Sequence, residues 1–197
     1  MSAYRSPSLV ELARDLYLRG LTPGTTGNVS QRADGGAIHV SPTNSCLGYL
    51  AESELSLVDP RDGVHLAGPR PSKEAGLHRI FYSDPAVQAV VHLHSPWASA
   101  LSCLNADVRD ELGRFTPYFG MKVAPLALVP YFAPGAADGP AVLRSHLGAA
   151  RAALLRNHGT ITAGASLLEA ANAAEEIEQA ARTWFVTRGQ ILQLLST

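Results

Sequence analysis

The sequence predicts a single α/β domain spanning residues 1–197. Three observations carry that expectation. Helical and strand-like hydrophobic periods mix along the whole chain, so neither an all-helical nor an all-β layering suits it. No repeat of about 20–50 residues and no low-complexity linker divides it. At 197 residues it is long enough to bury one substantial core without disulfide or metal staples.

The elements follow in order. Ser6-Pro7 ahead of Leu9, Leu12, Ala13, Leu16 and Tyr17 predicts a capped amphipathic helix that stops at Gly20. Thr22–Ser30 (TPGTTGNVS) reads as a polar, glycine-rich loop, Ile38–Val40 as a short strand and Ser41–Gly48 (SPTNSCLG) as a second loop rich in hydroxyls. Leu55–Val58 and Val64–Leu66 flank the turn DPRDG as a hairpin. Ser72 is placed to cap a helix that carries Glu74, Leu77, His78, Ile80, Phe81 and Tyr82 and ends near Asp84-Pro85. Gln88–His94 then reads as a strand, and Pro96 opens a helix to about Leu104. Between Tyr118 and Tyr131 the pattern gives short extended segments around Pro125 and Pro130. After the turn-rich APGAADGP, Ala141–Leu147 looks helical and Arg151–Arg156 strand-like. Ser166 begins a long helix with Glu169 at the capping-box position.

Composition narrows the function. Hydrophobic residues make up 46% and charged residues only 17%, which anticipates extensive burial, subunit interfaces included. Net charge is −1 with no Lys/Arg block, so no nucleic-acid partner is expected. Charges, Pro or Gly interrupt every apolar run, and the N-terminus lacks a basic region followed by an apolar stretch; no membrane association is expected, and a cytoplasmic location is. Cys46 and Cys103 form neither a disulfide framework nor a CxxC pair, which agrees with a reducing compartment.

The chemistry lies in the histidines. His92 and His94 in VVHLHS face the same side of a strand, because alternate residues share a face. His158, in LLRNHGT, follows a second strand at a turn that Gly159 permits. Three neutral imidazoles with an open fourth position are the donor set of a catalytic zinc site, although manganese, cobalt and nickel accept it too. By itself the HxH pair divides evenly between metal binding and ordinary hydrogen bonding. His39, His65, His78 and His146 read as ordinary surface or core residues. Glu74, on the first turn of a helix, can exchange a proton beside such a site. It can equally serve the helix dipole.

PSKEAGLH, AVVHLHSPWASALSCL and LLRNHG, in this order and at these separations, resemble the class II aldolase/adducin family. The likeness runs from TTGNVS to EAANAAEEIEQAAR and so covers nearly the whole chain. It implies a layered fold with a central, mainly antiparallel sheet flanked by helices, assembled as a homotetramer with the active site at the subunit interface. It also implies one Zn2+ per subunit on His92, His94 and His158, with Glu74 as acid/base. The loops TTGNVS, SPTNS and PSKE resemble the family's phosphate site, which assigns Gly27, Asn28, Thr43, Asn44, Ser72 and Lys73 to a phosphorylated substrate. Each loop alone would be ordinary turn chemistry. Tyr118 is similar in place to a residue that completes a neighbour's site.

Within the family, SPTNSCLG, GPRPSKEAGLH, VVHLHS, LSCL and VPYFAPG resemble most the 3-oxo-tetronate 4-phosphate decarboxylases. That likeness implies a small phosphorylated sugar acid as substrate, cleaved to dihydroxyacetone phosphate and CO2 through a metal-bound enediolate. Asn44 stands where many relatives carry Gly, and Lys73 where many carry Ser. An ammonium beside Glu74 suits a substrate carboxylate. Two alternatives stand against this reading. One is an aldolase or 4-epimerase acting on a phosphorylated ketose, as fuculose-phosphate aldolase does; the other is a non-catalytic, adducin-like scaffold, which would have shed its ligands.

Overall fold

Eight strands form one mixed sheet in the computed structural model, which describes residues 6–195. In chain order the strands are β1 (Asn28–Arg32), β2 (Ile38–Val40), β3 (Ser56–Val58), β4 (His65–Ala67), β5 (Ala89–Leu93), β6 (Leu126–Val129), β7 (Ala152–Leu155) and β8 (Gly159–Gly164). The helices are α1 (Leu9–Leu18), α2 (Ala75–Phe81), α3 (Pro96–Ser102), α4 (Arg109–Leu112), α5 (Pro117–Lys122), α6 (Gly139–Leu147) and α7 (Leu167–Val186). Spatial order is β4-β3-β2-β1-β5-β8-β7-β6, and every neighbouring pair runs antiparallel except β6 with β7. The mainly antiparallel sheet flanked by helices is therefore present.

Strand alternation sorts the core. On one face, Val90, Ile161, Ala153, Leu155, Ala127 and Val129 pack against Leu77, Ile80 and Phe81 of α2 and Leu143 of α6. On the other, Val29, Ala89, Val91 and Leu93 meet Leu9, Leu12, Ala13 and Leu16 of α1 and the start of α7. A third cluster joins α3, α4, α5 and the rest of α7 over Leu126, Ala152 and Leu154. His92 shares the parity of Val90, so its ring faces α2. Asn28 and Ser30 flank Val29 and face the same way. The register pairs Asn28 with His92 and Leu93 with Thr160, which brings the ends of β1, β5 and β8 together at one edge of α2.

Several boundaries differ from the sequence expectation. Ser8, not Ser6, caps α1: its Oγ accepts from Glu11 N–H at 3.4 Å while the Glu11 carboxylate accepts from Ser8 N–H at 2.8 Å. Glu11 three residues on makes this box reciprocal, and Ser6 has no such partner three residues later. Likewise α2 starts at Ala75, with Glu74 at its N-cap position and Ser72 two residues earlier, accepting from Glu74 N–H through Oγ at 3.2 Å. Residues 28–32, expected to begin in a loop, form β1, and residues 159–164, for which the sequence pattern predicts no element, form β8. Of the extended segments expected around Pro125 and Pro130, β6 forms between the two prolines, while the start of that stretch belongs to α5, opened by Pro117 at its first turn, with Phe119 buried against α7. Helix α4 was also not anticipated. At α7, Ser166 Oγ accepts from Glu169 N–H as expected, while the Glu169 carboxylate reaches Ala165 N–H at 3.2 Å. Among the described residues no helix is long and apolar enough to cross a membrane.

Candidate metal centre and active site

His92 is fully buried, and its Nδ1 lies 2.8 Å from the Thr160 carbonyl oxygen of β8. A carbonyl only accepts, so Nδ1 carries the proton and the Nε2 lone pair is left facing the centre. His94, just beyond β5, brings its Nε2 to 3.0 Å from that atom. Asn157, held at φ 53 between β7 and β8, turns the chain so that His158 enters from the other side; His158 N–H donates to Leu155 O and Ser102 Oγ, both at 3.2 Å. The three rings stand edge to face with centroids 4.7–4.9 Å apart. Glu74 closes the cluster, with Oε2 3.3 Å from His92 Nε2 and Oε1 3.2 Å from His158 Nε2.

One ligand atom from each of these four residues lies within 4.8 Å of all the others. The donor chemistry fits a divalent transition ion: His158 Nε2 is buried without a hydrogen-bond partner, and the lone pair of His92 Nε2 points at a second imidazole nitrogen. A buried polar atom left so costs about 1–3 kcal/mol, a cost that a bound cation would remove. Burial alone would raise the Glu74 pKa, but interactions with His158 and then His92 outweigh it and hold the carboxyl well below the usual range. Burial, above all, pushes His94 down to about 3, so its ring is neutral and free to ligate at physiological pH.

The expected loop residues come together as well. Gly27, Asn28, Thr43, Asn44, Ser72 and Lys73 line one cavity of about 240 Å³ with Glu74, His94 and Pro134. Gly27 is required at φ 74, because a Cβ there would press on Thr22 and on the His92 carbonyl oxygen. Asn44 sits at φ 59, in the left-handed region that Gly and Asn tolerate best, so its replacement of Gly leaves the turn geometry available. The Lys73 stem packs on Gly135 of the VPYFAPG segment. Tyr118 does not join them: it lies on α5, 56% exposed, beneath the Lys122 ammonium. A larger cleft of about 800 Å³ contains Arg32, Arg61, Arg79 and Arg144, but the first three guanidiniums already bind backbone carbonyls or Asp59.

Two supports of the site escaped the sequence reading. Glu178 of α7 is buried and accepts from Trp97 N–H and Ala98 N–H at 3.0 and 2.7 Å, fixing the start of α3 directly after His94. No local pattern announces it. His78 is a hydrogen-bonded core residue as expected, fully buried against Asn28 and Ser30, and only its link through Asn28 to Glu74 lies beyond that expectation. Its spacing of four from Glu74, which puts both on one helix face, was the available signal.

Gly159 offers a direct test of how closely β8 and β5 must approach. A Cβ there would collide with the Leu93 carbonyl group and the His94 backbone. Gly159→Ala is expected to destabilise the fold by about 1–3 kcal/mol, the usual range for forced overpacking. It should also weaken metal binding, since His158 precedes it and His94 lies beneath it. Thermal melting and metal analysis of the purified variant check both.

The comparisons agree with this geometry. The family model for the class II aldolase and adducin N-terminal domain matches residues 7–185. A Haemophilus influenzae protein named 3-oxo-tetronate 4-phosphate decarboxylase is 40% identical over 190 residues, covering 95% of this chain and 90% of its own. A Methanococcus maripaludis protein named L-fuculose phosphate aldolase is 31% identical over 180 residues, covering 91% and 95%. The crystal structure of YgbL from Klebsiella pneumoniae superposes with a TM-score of 0.90 at 37% identity, over 96% of this chain and 92% of that one. The histidine and glutamate cluster, with relatives named for decarboxylation and aldol chemistry, marks a carbon–carbon lyase: the chain belongs to the class II aldolase and adducin family.

Proposed function

We propose that this lyase decarboxylates a 3-oxo-tetronate 4-phosphate to dihydroxyacetone phosphate and CO2. The observation that carries the reading is the place of Lys73, an ammonium next to Glu74 in the wall of the cavity that also contains His94 and the Gly27, Thr43 and Ser72 loops. A substrate with a phosphate at one end and a carboxylate at the other needs two cationic or donor-rich subsites, and an aldol substrate needs only one. The loops supply backbone and hydroxyl donors for the phosphate. Lys73 supplies the charge for the carboxylate.

His92, His94 and His158 would hold one Zn2+ per chain, which as a Lewis acid polarises the C3 carbonyl and stabilises the charge released when the C1–C2 bond breaks. Glu74 starts ionised and accepts the proton of the substrate's C2 hydroxyl. Once the carboxylate has left as CO2, Glu74 returns that proton to C2, and solvent restores the hydroxyl proton as product departs. Lys73 orients the carboxylate until the bond is broken. The full set of ligands argues against a scaffold. A homotetramer in the cytoplasm completes the reading, supported by the exposure of Tyr118 and Met121 on α5, where a neighbouring subunit would cover them.

Aldol cleavage is the second reading, favoured by the 31% identity to the M. maripaludis fuculose-phosphate aldolase. Measuring kcat/KM for 3-oxo-tetronate 4-phosphate and for fuculose 1-phosphate separates the two. Wild type should release CO2 from the first and act poorly on the second. Lys73→Ser should lower decarboxylation by about 10–100-fold, as loss of a charge-assisted contact of about 1.5–3 kcal/mol implies, and change aldol cleavage far less. Efficient aldol cleavage with no CO2 from the keto acid would overturn the proposal.

A further inference from the structure

Behind Glu74 runs a buried chain of hydrogen bonds whose direction can be assigned atom by atom. Glu74 Oε2 lies 3.0 Å from the Asn28 side chain, and an ionised carboxylate only accepts, so the amide turns Nδ2 toward it. Asn28 Oδ1 then faces His78 Nε2 at 2.5 Å. An amide oxygen only accepts, so Nε2 carries the proton. Full burial pushes His78 down to about 3, so the ring is neutral and its Nδ1 is an acceptor. Ser30 Oγ, 2.7 Å away, must donate its single proton there. The Ser30 lone pairs remain, and Tyr82 Oη donates to one of them at 2.8 Å.

All four donors thus point toward one carboxylate oxygen. Asn28, Ser30, His78 and Tyr82 are each buried, at 5%, 0%, 0% and 5% exposure, so water does not substitute for any link. Chains aligned in one sense polarise one another, and a buried link left unpaired is costly. Each Glu74 oxygen also faces a histidine ring, Oε2 that of His92 and Oε1 that of His158, and only Oε2 is backed by the chain.

We propose that Tyr82, Ser30, His78 and Asn28 act as positioning residues that hold the Glu74 carboxylate in place through Oε2. The idea rests on the reading of Glu74 as proton carrier. It adds a purpose for His78, which does not line the cavity. A side chain two hydrogen bonds removed from Glu74 would then govern turnover without governing substrate binding.

Three variants and one spectrum test it, on the metal-loaded protein with whichever of the two phosphorylated substrates wild type turns over. His78→Leu fills the space but offers no donor, so Asn28 loses its anchor. His78→Gln keeps an N–H for Asn28 Oδ1. The leucine variant should lose about 10–100-fold in kcat with KM within about twofold and unchanged metal content, and the glutamine variant should recover most of the loss, as expected for a proton-transfer group displaced without loss of binding. Tyr82→Phe, which deletes one hydroxyl at the far end, should lower kcat by a smaller factor and folds on packing alone should the leucine variant fail. In parallel, the 15N spectrum of histidine-labelled wild type should place the His78 proton on Nε2 at neutral pH. A proton on Nδ1 would overturn the assigned direction, and equal kcat losses in the leucine and glutamine variants that merely follow their melting temperatures would overturn the positioning role. Full turnover by Glu74→Gln would instead strike the proton-carrier reading on which the role depends.

Discussion

Glu74→Gln is expected to keep metal and fold and to lose about 10²-fold or more in kcat, the scale of a removed general acid/base. Glutamine matches glutamate in size, and its amide oxygen can still accept from Asn28 Nδ2, so the link measured at 3.0 Å survives the change. Three imidazoles remain to hold the ion. What disappears is a carboxylate that can take up and return a proton beside His92 and His158. Because substrate contacts from Lys73 and the loops are untouched, KM should move little, which would separate a chemical defect from a binding defect. Steady-state kinetics beside elemental analysis of the same preparation make the measurement. Turnover near the wild-type rate in a metal-replete variant would reduce Glu74 to a residue that stabilises the start of α2.

The parts of the fold that hydrophobic period encodes were legible in the sequence. Leu9, Leu12, Ala13 and Leu16 lie on one buried stripe of α1, and Ala89, Val91 and Leu93 on one face of β5, as their spacing requires. The two strands that were missed are the ones whose residues serve other demands. β1 presents Asn28 and Ser30 to α2, so a strand at the centre of the sheet reads as polar loop. β8 is bounded by Gly159 and Gly164, glycines that ordinarily mark turns but here allow β5 and α7 to approach closely. Both exceptions sit at the site, where local preference yields to function.

The site divides along the same line. His92 and His94 are two apart on a strand and Glu74 begins a helix, so local geometry, together with the family resemblance, sufficed to group them with His158. The chain through His78 and the cap from Glu178 join residues 46 to 81 positions apart in pairs that no short-range rule connects. Such contacts exist only once β1 has been laid beside β5 and α7 across α3. Asn44 and Asn157 show an intermediate case: each occupies the left-handed region, where asparagine is a known but weak signal of a turn.

His92→Ala should remove the metal. His92 is the ligand held most firmly, fully buried and fixed through Nδ1 to the Thr160 carbonyl, so its Nε2 is oriented before any ion arrives. Removing a partner outside the ligands of a zinc site typically costs about 10–100-fold in affinity, and removing a preorganised ligand should cost more. Wild type is expected to purify with about one zinc per chain and the variant with less than about a tenth of that after dialysis, as three-imidazole zinc sites reduced to two lose their shape. Added zinc should raise the melting temperature of metal-stripped wild type, because an ion that binds only the native state stabilises it, and should leave the variant unmoved. A circular dichroism spectrum matching wild type would show that the variant is folded, so that absence of metal reports the site itself. Full zinc occupancy in a folded His92→Ala protein would sink the assignment of these histidines, and with it the Lewis acid on which both the decarboxylase and the aldolase readings depend.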